Sequence, residues 1–498
     1  LPHPDWDVDH DRSNFSAVDL PGFLVGFIHI LVFLLLSIFI GLYSRGKWRS
    51  WAILIVSVLS IYWLQPAIAI RNLDFWFPTL SLGLTILIWR MIVSKDATDD
   101  RDDLLTFFII LGLVFVLGLT RYLGRGTFLT PTRPPPLGNI AFALLLLVGL
   151  GVLVTKLREK GHFLAILGAA IIVGCFIALK SQPLAEAVSR GLRRLSGQSV
   201  DLASASELQW LGFSYIAFRL LHTLRDHALG RLPPLSLREY VSYILFFPAL
   251  PAGPIDRVER FQKDLHSATE LTGESGLEAG TRIAIGLFKK FALADGLATF
   301  ALSAANASQI QSTAWLWIML YAYAFRLYLD FSGYTDVAIG SGLLMGVRLP
   351  ENFNRPYSRP NIAAFWNSWH ITLAHWFRAY FFNPLTRALR AGKFKLPTAA
   401  IIFIGQLSTM ALIGLWHGIA WNFLLWGLWH GLGLFVHNRW VDLQRSRPGW
   451  FPQRLMGNRT LQVLSVLLTF HFVLLGWILF VIPDVQHAVD VFLKLFGV

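Results

Sequence analysis

Residues 412–434 read LIGLWHGIAWNFLLWGLWHGLGL, with two Trp-His-Gly triplets, at 416–418 and 429–431, set in sequence apolar enough to lie inside a bilayer. An ionisable side chain at bilayer depth is costly and normally faces a cavity or a bundle interior, which makes His417 and His430 functional-site candidates by position alone. A third histidine, His370, sits in FWNSWHITLAHWFRAYFFNPL (365–385), again beside tryptophan. Imidazole is the side chain best suited to taking a proton near neutral pH. The setting of these triplets decides the fold class. Hydrophobic residues make up 55% of the 498 and charged residues 15%, against roughly 25% charged in a soluble domain. Apolar runs near the ~20-residue spanning length fall at about 22–42, 50–70, 75–93, 104–120, 138–155 and 162–180, then at 208–222, 239–250, 281–304, 312–330, 361–384, 398–416, 421–438 and 461–482. The expectation is an all-α, polytopic integral membrane protein with 11 or 12 transmembrane helices. Short buried or re-entrant segments are expected where Pro and Gly interrupt the later runs.

The net charge of +13 is spread over short interhelical loops, a pattern of topology signals and contacts to anionic headgroups rather than of nucleic-acid binding. Cys175, the single cysteine, lies in an apolar run and reads as a small buried hydrophobe, with no intrachain disulfide. Residues 1–21 are an acidic polar tail with no basic n-region, unlike a cleavable signal peptide. The basic turn SRGKWRS (44–50) reads as cytoplasmic, which puts the tail outside. On that topology TRYLGRGTFLTPTRPPP (120–136), also basic, falls outside as well. Residues 22–200 are plain spans closing in the polar SRGLRRLSGQSVDLASASE (189–207), read as a loop. Residues 201–498 carry Trp, Tyr, Arg, Asp, Asn and His in apolar context and should hold the active part.

Within that part each candidate has a plainer structural reading. His417 and His430 are 13 positions apart, which on one helix at ~100° per residue sets them on different faces. With no carboxylate or cysteine nearby, a metal site is not expected, and His430 reads as structural. His375, five positions after His370, also points elsewhere. Arg326 precedes Asp330 by four residues, so a structural ion pair is the simpler account of both. Asp336 remains a candidate binding residue. Asn352, Asn354 and Arg355 follow Pro350 in a loop leading to His370, where asparagine either contacts substrate or caps a helix. Gly253 and Pro254 should break the chain, with Asp256 and Arg257 able to pair. Trp416, Trp421 and Trp426 either line a substrate path or belong to an interfacial belt.

Six blocks in order carry a resemblance: FFPALPAGPIDRVERF (246–261), GLFKKFALADGLA (286–298), LYLDFSGYTDVAIG (327–340), LPENFNRPY (349–357), the His370 block (365–385) and GLWHGIAWNFLLWGLWHG (414–431). Together the chain resembles the membrane-bound O-acyltransferases, in the bacterial branch that acetylates alginate or D-alanylates teichoic acid. The resemblance implies helices around a central funnel in the bacterial cytoplasmic membrane. It implies an acyl group moved from an activated cytoplasmic donor, acetyl-CoA or a phosphopantetheine carrier thioester, with no bound cofactor. The acceptor it implies is a hydroxyl of an extracytoplasmic polysaccharide or a downstream extracytoplasmic acyltransferase. The family's most characteristic histidine falls on His417 and its second position on His370. His417 is then expected to be the general base, and His370 to orient the acceptor or stabilise the oxyanion. Ala379 stands where relatives carry an acid after the arginine, a role Asp330 or Asp336 would have to assume. The basic turn TKLREKGH (155–162) is a candidate dock for an acidic carrier. Two rivals are a proton-coupled transporter, for which no inverted repeat is evident, and a channel passing acyl groups to a separate transferase.

Overall fold

A computed structural model describes residues 20–93, 100–123, 129–267, 271–393, 395–447 and 458–498. The acidic tail to residue 19, and 124–128 of the basic 120–136 stretch, lie outside the described residues. Every described element is helical, as a chain in lipid requires, because a helix satisfies its backbone groups within one segment. Among the described residues, six helical segments are long and apolar enough to cross a membrane: Leu73–Ile92, Arg101–Tyr122, Leu137–Lys156, Arg158–Lys180, Thr398–His417 and Arg459–Val481. Several of the other apolar runs are shorter helices, in keeping with the short buried segments expected beside the spans.

The chain divides into two compact units, residues 1–283 with 337–349, and 284–336 with 350–498. The first unit contains α1 (Leu20–Tyr43), α2 (Gly46–Trp63), α3 (Leu73–Ile92), α4 (Asp100–Leu119), α5 (Leu137–Lys156), α6 (Gly161–Lys180), α7 (Gln182–Leu195), α8 (Phe213–Ala228), α9 (Leu237–Ile244) and α10 (Val258–His266). Helices α4 to α6 expose large apolar residues such as Phe108, Phe142 and Phe163, as faces turned to hydrocarbon do. The 189–207 stretch is not all loop. Its first half completes the amphipathic α7, whose buried Arg193 pairs with Glu207 after the chain turns back.

Short helices in this unit are held by charged side chains at their ends. Arg219 of α8, 1% exposed, donates to the carbonyls of Tyr243 (3.2 Å), Ile244 (2.8 Å) and Ala249 (3.1 Å), where α9 stops. Asp103 of α4 accepts from the Leu237 N–H (2.7 Å) at the other end of α9. Arg49 of α2 donates to Asp264, Leu265 and Ser267 carbonyls at the end of α10. Terminal carbonyls without an intrahelical partner must find a donor when buried. Arg219→Ala strands the Tyr243 and Ile244 carbonyls and leaves that of Ala249 only the Gly253 N–H (3.3 Å); the expected loss is about 3 kcal/mol, read as a lowered thermal midpoint of the purified protein in detergent by tryptophan fluorescence.

The second unit begins in the last residues of α11 (Gly273–Leu287), which continues as a π-helical segment, Phe288–Ala294. It contains most of α12 (Thr313–Leu344), then α13 (Ile362–Trp366), α14 (Ile371–Phe377), a second π-helical segment (Arg378–Phe382), α15 (Asn383–Ala391), α16 (Thr398–His417), α17 (Trp421–Ser446), α18 (Arg459–Val481) and α19 (Val485–Leu495). Helices α16 and α17 form a hairpin whose backbones nearly touch. A Cβ on Gly414 would lie 2.1 Å from the Phe423 carbonyl oxygen, and one on Gly427 2.3 Å from that of Met410. Only glycine allows that approach.

Candidate active site

His417 is the last residue of α16, and four residues later Trp421 opens α17. The two triplets therefore sit on opposite arms of a hairpin, and the angular argument that separated His417 from His430 does not apply. Both imidazoles meet one indole, that of Trp426, with ring centroids 5.5 Å from His417 and 5.0 Å from His430. On its other side His417 lies 4.7 Å from Trp416, whose indole is 6.0 Å from His370. Phe480 of α18 closes on His417 at 4.8 Å. Three histidines are thus strung along Trp416 and Trp426 within the second unit.

His370 has a left-handed backbone, φ 40°, rare for a residue with a Cβ. Such a conformation persists only where its surroundings over-determine it. Here the Ile371 N–H donates to the Asn352 carbonyl (3.0 Å) and the Asn354 N–H to the Ser368 carbonyl (3.0 Å), clamping the turn that opens α14. The Asn352 side chain, wholly buried, completes the clamp. Its Oδ1 accepts from the Thr372 N–H (3.2 Å) and hydroxyl (2.7 Å). The capping role considered for the loop asparagines is real but remote, since Asn352 caps α14 by accepting from an N–H 20 residues downstream. Because the Thr372 N–H can only donate, the amide oxygen is fixed in place. His370 Nδ1, 3.3 Å from the same oxygen, must then carry the proton, leaving Nε2 as the acceptor.

The polar atoms left over have a pattern. Among the described residues, His370 Nε2, Asn352 Nδ2, both ring nitrogens of His430 and the indole N–H groups of Trp366 and Trp426 are buried without a hydrogen-bond partner. Native interiors pair nearly all such groups, so a cluster of them is where a substrate or water belongs. Trp366 lies 5.3 Å from His430, rather than beside His370 as their closeness in sequence implied. His430 therefore belongs to this wall. A neutral ring with Nε2 free can accept a hydrogen bond from a hydroxyl but cannot donate one to an oxyanion, so of the two roles expected for His370 the geometry favours the first.

Other expectations need correction. Asp330 pairs with Lys290 (2.7 Å) and Asp336 with Lys289 (2.6 Å), while Arg326 is exposed and pairs with neither. The π-helical segment carrying both lysines lies against Gly333 of α12, where a Cβ would stand 2.8 Å from the Gly286 carbonyl oxygen, and this closeness brings both pairs together. Consecutive lysines inside an apolar block were the signal for these partners. Asp256 pairs with Arg260 (2.7 Å), one helical turn on, instead of Arg257. Asn354 and Arg355 are exposed, and Trp421, 73% exposed, lines no path to the histidines. Arg378, beside Ala379, donates to Asn367 Oδ1 (2.7 Å), a neutral partner in place of an acid. His375 is exposed. Among the described residues no three His, Cys, Asp or Glu side chains group as metal ligands.

Gly427→Ala changes no polar group yet forces α16 and α17 apart at the level of the triplets. The expected result is a loss of about 1–3 kcal/mol together with reduced turnover, checked by thermal unfolding and activity on the same preparation.

A family model described as the membrane-bound O-acyltransferase family matches residues 170–479. A teichoic acid D-alanyltransferase of Bacillus subtilis is 34% identical over 278 residues, 55% of this chain and 69% of that protein. A peptidoglycan O-acetyltransferase of Helicobacter pylori is 34% identical over 261 residues, 52% of this chain and 46% of that protein. A Pseudomonas aeruginosa protein named "Probable alginate O-acetylase AlgI" is 34% identical over 286 residues, 56% of this chain and 50% of its own length.

Proposed function

Because the chain belongs to the membrane-bound O-acyltransferase family, we propose that this integral membrane enzyme moves an acetyl group from an activated cytoplasmic donor to a hydroxyl of an extracytoplasmic polysaccharide. The observation that carries the reading is the line of three histidines linked by Trp416 and Trp426, walled by buried polar atoms that have no partner. His417 is the general base. It takes the hydroxyl proton as the acceptor oxygen bonds to the acyl carbon, and the carbon–sulfur bond of a thioester donor breaks. The proton then passes to the departing thiolate. Its place at the end of α16 supports this role, because a helix C-terminus stabilises the imidazolium that forms. His370 Nε2 holds the acceptor hydroxyl, and the Asn352 amide N–H groups are free to meet charge growing on the carbonyl oxygen. Donors are acetyl-CoA or a carrier-protein thioester. Lys156 and Lys160, exposed at the turn between α5 and α6, offer an acidic carrier a contact.

A second reading, transfer of D-alanyl to an envelope polymer, is favoured by the Bacillus subtilis relative, of which this chain covers 69%. Mass spectrometry of surface polymers from a strain lacking the gene separates the two. Loss of acetyl esters is expected; loss of ester-linked alanine instead selects the second reading, and unchanged esters of both kinds refute both.

A further inference from the structure

The first unit holds a cavity of about 610 Å³ whose lining includes Arg71, Arg121, Arg133, Asn72, Asn139 and Gln198 and no carboxylate. It lies at one end of the spanning helices, where α3 begins, α4 ends and α5 begins. Among the described residues, the nearby Asp74 carboxylate accepts from the lining Thr132 hydroxyl (2.6 Å) and forms no ion pair with any of the three arginines, which repel one another unless an anion joins them. Two of them are built into the frame: Arg121 donates to the Pro134 carbonyl (2.5 Å) and Arg133 Nε to the Arg121 carbonyl (3.3 Å). Gln198 fixes the third by its backbone, accepting from the Arg71 N–H (2.8 Å) and donating to the Ala69 carbonyl (2.9 Å). Among the described residues the Arg71 guanidinium itself has no hydrogen bond or ion pair. The anchored backbone and open guanidinium are the arrangement of a side chain waiting for a ligand.

Two neighbouring features say what the ligand is. Tyr122 (60% exposed) and Leu123 (83%) follow α4 at the cavity, and Phe142 and Leu145 (70% each) line the exposed face of α5 that runs away from it, as surfaces against acyl chains do. The amphipathic α7 ends three residues before Gln198, with Leu184, Val188 and Leu195 exposed beside Arg190 and Arg194. A helix of that character lies in the headgroup plane of a membrane. A cationic cavity at that level, flanked by apolar helix faces, fits a phosphodiester headgroup with its acyl chains still in the bilayer. We propose that Arg71, Arg121 and Arg133 hold the phosphate of an anionic phospholipid. Guanidinium groups match phosphate oxygens by paired N–H donors.

The test is native mass spectrometry of the full chain released from detergent after titration with phosphatidylglycerol or phosphatidylcholine, for wild type, Arg71→Gln, Arg71→Lys and Arg71→Gln/Arg133→Gln. Arg71 is altered first because its side chain holds nothing in place, and size-exclusion elution and thermal midpoint are recorded for each variant. The expected result is a retained phosphatidylglycerol adduct, weakened about fivefold per arginine removed and largely kept by Arg71→Lys, with no matching effect on phosphatidylcholine. Millimolar inorganic phosphate or glycerol 1-phosphate should leave that adduct in place. If these soluble ions displace the lipid and bind in an arginine-dependent way, a free phosphate is the ligand and the lipid assignment falls. Equal binding of both lipids, or arginine-dependent retention of a soluble carboxylated polysaccharide instead, overturns the proposal.

Discussion

His417→Ala is expected to lower acyl transfer by at least about 10²–10⁴-fold, the range a positioned acid–base group supplies, while membrane insertion and expression stay at wild-type levels. The imidazole is half-buried and contacts four rings, so removing it leaves Trp416, Trp426, Phe423 and Phe480 as the walls of an empty slot. The measurement is transfer of labelled acyl groups in membranes containing equal amounts of wild type and variant. Full activity in the variant would remove His417 from the mechanism. Loss of transfer with the protein still assembled would also speak against a passive acyl channel, which needs no base.

The second large effect is expected at His370, and its form differs. His370→Ala removes the acceptor nitrogen that orients the hydroxyl, so kcat/KM for the acceptor should fall by roughly 10²-fold with the donor KM little changed. Asn352→Ala should follow the same kinetic pattern more weakly, because it frees the imidazole to rotate and change tautomer. It should also cost stability, since the Thr372 N–H and hydroxyl lose their acceptor. Parallel loss of donor and acceptor affinity in His370→Ala would show a disturbed fold in place of a positioning defect. A ¹⁵N spectrum of histidine-labelled protein in bilayers checks the premise, which requires a neutral His370 protonated on Nδ1.

The all-helical membrane architecture was legible in the sequence, because apolar run length is a direct record of bilayer thickness, and a histidine within such a run is conspicuous as a candidate. Fold class and chemistry of that kind depend on composition along a line. Pairing across space does not. Asp330 had an apparent partner one helical turn away in Arg326, yet Lys290, 40 positions distant, holds it, because a π-helical segment beside Gly333 brings the lysine closer. His430 looked remote from His417 on the assumption of one continuous helix. The break at 418–420 folded the two triplets onto a common indole, and close-packed glycines made that fold possible. Residue type and run length thus determined that this is an all-helical membrane protein, and the order of its sequence blocks pointed to the family. Which groups face one another, and which tautomer His370 holds, were decided by where helices stop and how closely two backbones approach.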